Sequence, residues 1–208
     1  MNDPITMIDY GGSNMRSAHK GLEAIGATVI VSSDPETVRR ADKLVLPGVG
    51  AFGAGMENLR VRGLIPAIQE AAAAGTPLLG ICVGMQFLFE ESEEMGRHAG
   101  LGLIPGRVIR FPGPQLLAQG LKVPHMGWNQ IDHDGSHPLL AGVPSGTYTY
   151  FVHSYYCAPA AAAAVAATAS YGKPFAAVVQ HGNVYGTQFH PEKSQVMGRR
   201  ILRNFAAL

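Results

Sequence analysis

Hydrophobic residues in the first half of the chain form short runs, separated by amphipathic segments that end in glycine or proline. Short apolar runs bounded by turn residues are typical of buried strands, and longer amphipathic segments are typical of helices. The pattern predicts strands at residues 5–9, 28–31, 43–46 and 78–81. It predicts helices at residues 14–25, from Pro35 onward, at 56–74 with a break near Gly63 and Pro66, and at 85–93.

This alternation of strands and helices predicts an α/β fold with a mostly parallel central sheet flanked by helices. Ligands of such sheets bind at the carboxyl ends of the strands. The second half has strand-like runs joined by turns, at residues 108–109, 129–132, 148–152, 176–180 and 184–188, so we expect additional antiparallel strands there. We find no linker and no repeat, and we expect a single domain spanning residues 1–208.

An alanine-rich segment at residues 158–170 is ambiguous. Helix propensity alone favours a helix, because alanine is the best helix former. Pro159 and the strand-like neighbours favour a pair of strands with a loop, and we adopt that prediction.

Composition narrows the class of protein. The chain has 208 residues, of which 47% are hydrophobic and 15% charged, as expected of a globular protein with a sizeable core. A net charge of +1 without a cluster of Lys and Arg argues against nucleic-acid binding. No apolar run approaches the ~20 residues of a membrane span, and the N-terminus lacks a secretory signal pattern. Two cysteines do not make a disulfide framework, so we expect a cytoplasmic protein.

One cysteine lies in an unusual turn. Gly80-Ile81-Cys82-Val83-Gly84 follows a predicted strand and precedes a predicted helix, which is the pattern of a nucleophile elbow. In such a turn the central side chain projects at the carboxyl edge of the sheet, and a helix N-terminus stabilises a thiolate. A buried core cysteine is an equally good interpretation of this stretch alone.

A second string supplies the groups that a cysteine nucleophile needs. His190 can act as the base, and Glu192 can hold its other ring nitrogen, with Pro191 fixing the backbone between them. A structural or surface histidine is the alternative, because the chain has eight histidines in all.

Taken together, these two sites resemble those of the class I glutamine amidotransferases, whose catalytic triad is Cys-His-Glu. The resemblance extends over nearly the whole chain. The stretches of sequence that carry it are, in order, "DYGGSNMRS", "LPGVGAFGAGM", "GLGLIPGRVIRFP", "VPHMGWN", "YFVHSYY" and "QFHPEKS". Within the family, the ordered set resembles the glutaminase subunits that supply ammonia to a cyclase in histidine biosynthesis.

The resemblance implies the class I glutamine amidotransferase fold and L-glutamine as substrate, and we expect no cofactor. We also expect no metal site, because no close pair of Cys and His residues has the spacing of zinc ligands. It implies Cys82 as nucleophile, His190 as proton carrier and Glu192 as its orienting group. The implied oxyanion donors are Val83 and, in the loop of residues 47–50, Val49 and Gly50. The implied glutamine-binding residues are Gln86, His153, Ser154 and Tyr155.

The resemblance also implies a protein partner, a cyclase subunit with a (β/α)8 barrel that receives the ammonia. The candidate docking residues are Met126, Trp128, Asn129, Tyr150 and Lys193. For Trp128 the alternative is an ordinary core tryptophan. Three other functions stay open: a glutaminase subunit of pyridoxal phosphate or anthranilate synthesis, a free-standing cysteine hydrolase of γ-glutamyl bonds, and a non-enzymatic binding module.

Overall fold

The computed structural model describes residues 3–12 and 15–208. Its helices are α1 (Met15–Glu23), α2 (Pro35–Arg39), α3 (Phe52–Val61), α4 (Leu64–Ala73), α5 (Val83–Phe87), α6 (Gly113–Leu117) and α7 (Gln195–Ala206). Its strands are β1 (Ile5–Ile8), β2 (Val29–Ser32), β3 (Lys43–Gly48), β4 (Leu78–Cys82), β5 (Phe89–Ser92), β6 (His98–Ala99), β7 (Ile104–Arg110), β8 (His125–Ile131), β9 (Thr147–His153), β10 (Tyr155–Pro159), β11 (Val165–Ser170), β12 (Pro174–His181) and β13 (Val184–Thr187). Asn14, where the first predicted helix begins, lies outside the described residues.

The central sheet has seven strands in the order β11-β12-β13-β4-β3-β1-β2. The five strands from β13 to β2 are parallel, and β12 runs antiparallel to both of its neighbours. Strands β1, β3 and β4 are buried along their whole length, because helices cover both faces of the sheet. The predicted α/β fold with a mostly parallel sheet is therefore confirmed.

The register of β3 and β4 sets the position of the elbow. Gly48, the last residue of β3, pairs with Cys82, the last residue of β4. The loop that follows β3 and the turn that follows β4 therefore begin side by side, at the carboxyl edge of the sheet where ligands bind.

The second half of the chain adds a four-stranded sheet, in the order β10-β7-β5-β6, and the antiparallel pair β8–β9. The predicted helix at residues 85–93 is wrong beyond Phe87, because residues 89–92 form β5, which pairs with β7. Phe89 and Ser92 are buried in that sheet. Pairing with a strand that lies later in the sequence overrides the local helical pattern here.

The predicted break in the long helical segment lies at Gly63, whose φ of +68° is left-handed and ends α3. Pro66 does not break α4, because it is the third residue of that helix, where no intrahelical N–H bond is lost. The helical segment also begins earlier than predicted, at Phe52 rather than at Met56.

The alanine-rich segment holds the end of β10, a loop with a short 3-10 helix at Ala162–Ala164, and β11, so strands joined by a loop are present as predicted. The two strands do not pair with each other, however: β10 pairs with β7 and β11 pairs with β12. The segment therefore connects two sheets. No helix in the described part of the chain is long and apolar enough to cross a membrane.

Candidate active site

Cys82 occupies a strained turn between β4 and α5. Its φ of 57° and ψ of −110° lie in a region that residues other than glycine rarely adopt, and its side chain is 2% exposed. The glycines on either side make the turn possible. A Cβ at Gly80 would lie 2.6 Å from the carbonyl oxygen of Gly84, and a Cβ at Gly84 would collide with the carbonyl oxygen of Leu46. The sequence thus folds into the elbow that its glycine spacing predicts.

His190 and Glu192 form a buried pair next to this elbow. The Nδ1 atom of His190 lies 2.8 Å from Oε1 of Glu192, and both side chains are 1% exposed. The backbone of His190 is held on both sides: its N–H donates to Tyr150, and its carbonyl accepts from the Ser194 hydroxyl at 2.6 Å. Because a carboxylate accepts, Nδ1 carries the proton. Nε2 therefore remains for exchange with Cys82.

Electrostatics favour a charged His190. Burial opposes the imidazolium, but the interactions with the Cys82 sulfur and the Glu192 carboxylate outweigh it and raise the pKa of His190 to about 10. The Nε2 atom is buried and has no well-aligned hydrogen bond among the described residues. The arrangement therefore favours the imidazolium form of His190 beside Cys82.

The loop after β3 packs against the elbow. A Cβ at Gly48 would collide with the backbone of Val83 and Gly84, so only glycine allows this approach. Gly50 has a left-handed φ of +91°, with open space where a Cβ would be. The three predicted oxyanion residues, Val49, Gly50 and Val83, line the same cavity as Cys82.

That cavity has a volume of about 280 Å³. It brings together eight of the residues that the sequence singled out, besides the nucleophile: Val49, Gly50, Val83, Gln86, His153, Ser154, Tyr155 and His190. Glu192 lies behind His190 and completes the set. The remaining lining residues, which sequence reasoning missed, are Glu94, Pro124 and Val152.

Gln86 is a buried residue of α5 and not a solvated helix side chain. Its Nε2 atom donates to the Tyr155 carbonyl at 3.0 Å and to Oε1 of Gln188 at 3.2 Å. The Gln188 amide lies 4.0 Å from the Cys82 sulfur. Gln86 therefore links the cavity wall at Tyr155 to the nucleophile.

Glu94 is the acidic side chain among the lining residues. Its carboxylate accepts from the backbone N–H of Phe52 at 2.7 Å, which fixes its position at the start of α3. Its signal in the sequence is weak, because Glu94 belongs to an acidic cluster at residues 90–94 that is typical of a solvated surface.

Four of the five candidate docking residues lie on one face of the β8–β9 pair or beside it. Met126 is exposed and Trp128 is 46% exposed, so the alternative of a core tryptophan is wrong. The Trp128 ring meets the Tyr150 ring edge to face, and the Lys193 ammonium lies 5.8 Å from the centre of the Tyr150 ring.

Asn129 does not share this face. Side chains alternate along β8, and the Asn129 amide donates to the Ser170 carbonyl at 2.8 Å on the inner side.

Both cysteines are free, and burial raises the pKa of the Cys157 thiol well above its usual value. Cys157 is therefore inert, which leaves Cys82 as the candidate nucleophile. Within residues 3–12 and 15–208, no group of three or more His, Cys, Asp or Glu side chains is arranged to hold a metal ion.

Comparison with known proteins agrees with this geometry. The family model "Glutamine amidotransferase class-I" matches residues 6–208. The imidazole glycerol phosphate synthase subunit HisH of Syntrophotalea carbinolica is 55% identical, over 97% of this chain and 98% of its own. The HisH subunit of Moorella thermoacetica is 49% identical, over 99% and 95%.

Among solved structures, PurLQS from Thermotoga maritima has a TM-score of 0.75 at 20% identity, over 99% of this chain and 98% of that chain. At this identity the likeness indicates a shared fold. The family model and the HisH relatives cover nearly the whole chain. The chain therefore belongs to the class-I glutamine amidotransferase family and, within it, to the HisH subunits of imidazole glycerol phosphate synthase.

Proposed function

We propose that the chain hydrolyses L-glutamine to glutamate and ammonia through a thioester on Cys82. The observation that carries this proposal is that Cys82 and His190 line one cavity. The buried carboxylate of Glu192 pairs with Nδ1 of His190. We further propose that residues 1–208 act as one catalytic domain in the cytoplasm. The test is a glutaminase assay of the chain with a cyclase subunit, with and without the nucleotide substrate of the cyclase.

In the first step, the Cys82 thiolate attacks the carbonyl carbon of the glutamine side-chain amide. The negative charge that develops on oxygen is stabilised by the N–H of Val83 and by an N–H of the Val49–Gly50 loop, each contributing ~2.7–4 kcal/mol. The Nε2–H of His190 protonates the amide nitrogen, ammonia leaves, and the thioester remains. His190 then removes a proton from water, which attacks the thioester and releases glutamate.

Glu192 keeps its bond to Nδ1 of His190 throughout these steps. It stabilises the imidazolium and directs Nε2 toward the reacting atoms, as the third member of a triad does.

Changing Cys82 to Ala should lower the pKa of His190, because the sulfur is a main cause of its rise to about 10. The raised pKa stabilises the folded state fully below pH 6.5, the ordinary value, and this contribution is lost as pH rises through about 10. NMR titration of the imidazole should find His190 charged at neutral pH in the native chain and titrating at lower pH in the variant. An unchanged titration would contradict a direct interaction between Cys82 and His190.

We propose that Glu94 binds the α-ammonium group of glutamine, because it supplies a negative charge at the wall of the cavity. A volume of about 280 Å³ is at the small end of ligand sites, as suits an amino acid.

Glu94→Gln keeps an acceptor for the Phe52 N–H but removes the charge. We expect KM for glutamine to rise ~10- to 100-fold with kcat nearly unchanged, because a charged hydrogen bond contributes ~1.5–3 kcal/mol. Steady-state kinetics check this expectation. Glu93→Gln is the matched control, because Glu93 accepts from the Arg110 N–H and does not line the cavity. Equal effects of the two changes would contradict the proposed role.

We propose that the ammonia passes to a cyclase subunit, which forms imidazole glycerol phosphate and aminoimidazole carboxamide ribonucleotide. Two observations support this step: the HisH relatives are subunits of a synthase, and Val152 lines the cavity. Val152 pairs with Met126 and lies on the outward face of β9. A partner bound to the face of Met126, Trp128 and Tyr150 therefore borders the site where ammonia is released.

Trp128→Ala should weaken binding of the cyclase by ~2 kcal/mol or more, as truncation of an interface hot spot does. Calorimetric titration measures this affinity. The melting temperature should barely change, because Trp128 is half exposed. Leu117→Ala, at an exposed apolar position on α6, is the control and should leave the affinity unchanged. An unchanged affinity in the Trp128 variant would contradict the proposed docking face.

A further inference from the structure

A chain of hydrogen bonds connects the strand that carries Trp128 to the wall of the cavity. The amide of Asn129 on β8 lies 3.3 Å from Nε2 of His125. Nδ1 of His125 lies 3.0 Å from Nε2 of His153, its direct partner across the β8–β9 pair. Nδ1 of His153 lies 2.8 Å from the carbonyl oxygen of Tyr155. Both histidines are buried.

The hydrogen-bond partner at the cavity end determines which ring nitrogens of the two histidines carry a proton. The Tyr155 carbonyl can only accept, so Nδ1 of His153 carries a proton. A neutral His153 then accepts at Nε2, so His125 donates from Nδ1 and accepts at Nε2. The Asn129 NH2 group supplies that last donor.

The Asn129 end independently requires the same positions of the protons on the two rings. The Asn129 NH2 group also donates to the Ser170 carbonyl at 2.8 Å, and its carbonyl oxygen accepts from the Gln130 N–H at 2.9 Å. This amide orientation presents a donor to His125. The two ends therefore require one assignment, in which both histidines are neutral and protonated at Nδ1.

This series of hydrogen bonds cannot accommodate an additional proton. On either histidine it would bring two N–H donors face to face, or force the Asn129 amide to turn and give up its two other bonds. Burial acts in the same direction and lowers the pKa of His125 to about 4 and that of His153 to about 3.

The packing around His125 holds its ring in place. It lies between the rings of Tyr171 and Phe151, at centroid distances of 4.1 Å and 4.9 Å, with both pairs stacked. The ring therefore has a fixed plane, and its two nitrogens point at Asn129 and His153.

The cavity end of the chain reaches the proposed substrate site. The Tyr155 carbonyl accepts from His153 and also from Gln86, and both of these side chains line the cavity. A change in the His153 ring would therefore shift the backbone at residues 153–155 and the Gln86 amide together.

We propose that His125 and Asn129 are positioning residues for the glutamine pocket: they fix the ring of His153 and, through it, the Tyr155 carbonyl and Gln86. This inference rests on the proposed glutaminase function. It assigns Asn129 a role on the inner side of β8, opposite the face of Trp128, and it makes β8 a structural element of the pocket.

The predicted protonation of His125 and His153 is tested without any assay of activity. Long-range ¹H–¹⁵N correlation spectra distinguish a protonated ring nitrogen from one with a lone pair. In the native chain we expect both histidines to be neutral and protonated at Nδ1 at neutral pH. His125→Asn assigns the His125 signals. A ring protonated at Nε2, or an imidazolium at either position, would overturn the proposal.

The positioning role is tested by kinetics in complex with a cyclase subunit. His125→Phe keeps a ring between Tyr171 and Phe151 but removes the donor to His153, which leaves a buried acceptor unpaired. We expect KM for glutamine to rise roughly tenfold and kcat to change less. His125→Asn keeps an N–H at the position of Nδ1 and should restore most of the lost affinity, to within about threefold of the native KM.

His137→Phe is the matched control. His137 is a part-buried histidine that bonds Gln180 at 2.6 Å, and it does not line the cavity. It should leave KM unchanged even if stability falls.

An unchanged KM in a folded His125→Phe variant would overturn the proposal, and so would equal KM values in the Phe and Asn variants. If the Phe variant does not fold, two other measurements decide. A KM of His125→Asn within about threefold of the native value, with spectra of the native protein that show both histidines protonated at Nδ1, supports the proposal. A larger KM or a different protonation overturns it. Absence of glutaminase activity in the native complex would instead overturn the proposed function. It would not affect the assigned protonation of His125 and His153.

Discussion

Cys82→Ala is expected to abolish glutamine hydrolysis, with a loss of at least about 10⁴-fold in kcat, because the proposed thioester forms on the Cys82 sulfur. His190→Ala should be nearly as damaging, since triad members act as one unit. Glu192→Ala should leave more residual activity, because orientation is only part of the function of the base. A glutaminase assay of each variant in complex with a cyclase subunit measures these losses.

The losses should be confined to the glutaminase step. Ammonium salt supplied to the complex should restore formation of imidazole glycerol phosphate in all three variants, since in the proposed function ammonia is what the cyclase receives. Cys157→Ala is the matched control, because Cys157 is the other free buried cysteine and does not line the cavity. Appreciable hydrolysis by Cys82→Ala, or failure of ammonium to restore product, would contradict the mechanism.

Much of the fold could be predicted from local sequence. Buried parallel strands appear in a sequence as short apolar runs, and this pattern predicts β1, β3 and β4. The elbow was predictable for a different reason: Gly80 and Gly84 are required by close backbone approach, which leaves a mark in the sequence itself.

The features that the sequence did not predict depend on distant partners. Residues 89–92 are a strand only because β7 lies beside them. Glu94 resembles its acidic neighbours, and only the fold turns it to the cavity. His125 acquires its role from His153, its partner across β8 and β9, and no pattern within either strand indicates that pairing.

The loop of residues 47–50 is the expected site of control over the glutaminase. Gly50 has a φ of +91°, and rotation of the Val49–Gly50 peptide by about half a turn would make that angle negative. We expect the left-handed orientation to be the resting one, with a carbonyl that points at the oxyanion and repels it, and the rotated orientation to present the Gly50 N–H. We expect cyclase docking with bound nucleotide to favour the second orientation. A coupling of a few kcal/mol would raise turnover by about two orders of magnitude.

Two substitutions at Gly50 should therefore have opposite effects. Gly50→Ala disfavours the left-handed φ by ~1–2 kcal/mol and meets no atom within 4 Å, so we expect the rate without cyclase to rise ~5- to 30-fold. Gly50→Pro removes the N–H donor, so we expect the ligand-stimulated rate to fall to the basal rate. Turnover is compared for the chain alone, with cyclase, and with cyclase plus its ligand. A lower basal rate in Gly50→Ala would contradict the assignment of the left-handed state as the resting one. Equal rates of the native chain under all three conditions would exclude control by docking, because a loop that rotates on docking must change the number of donors at the oxyanion.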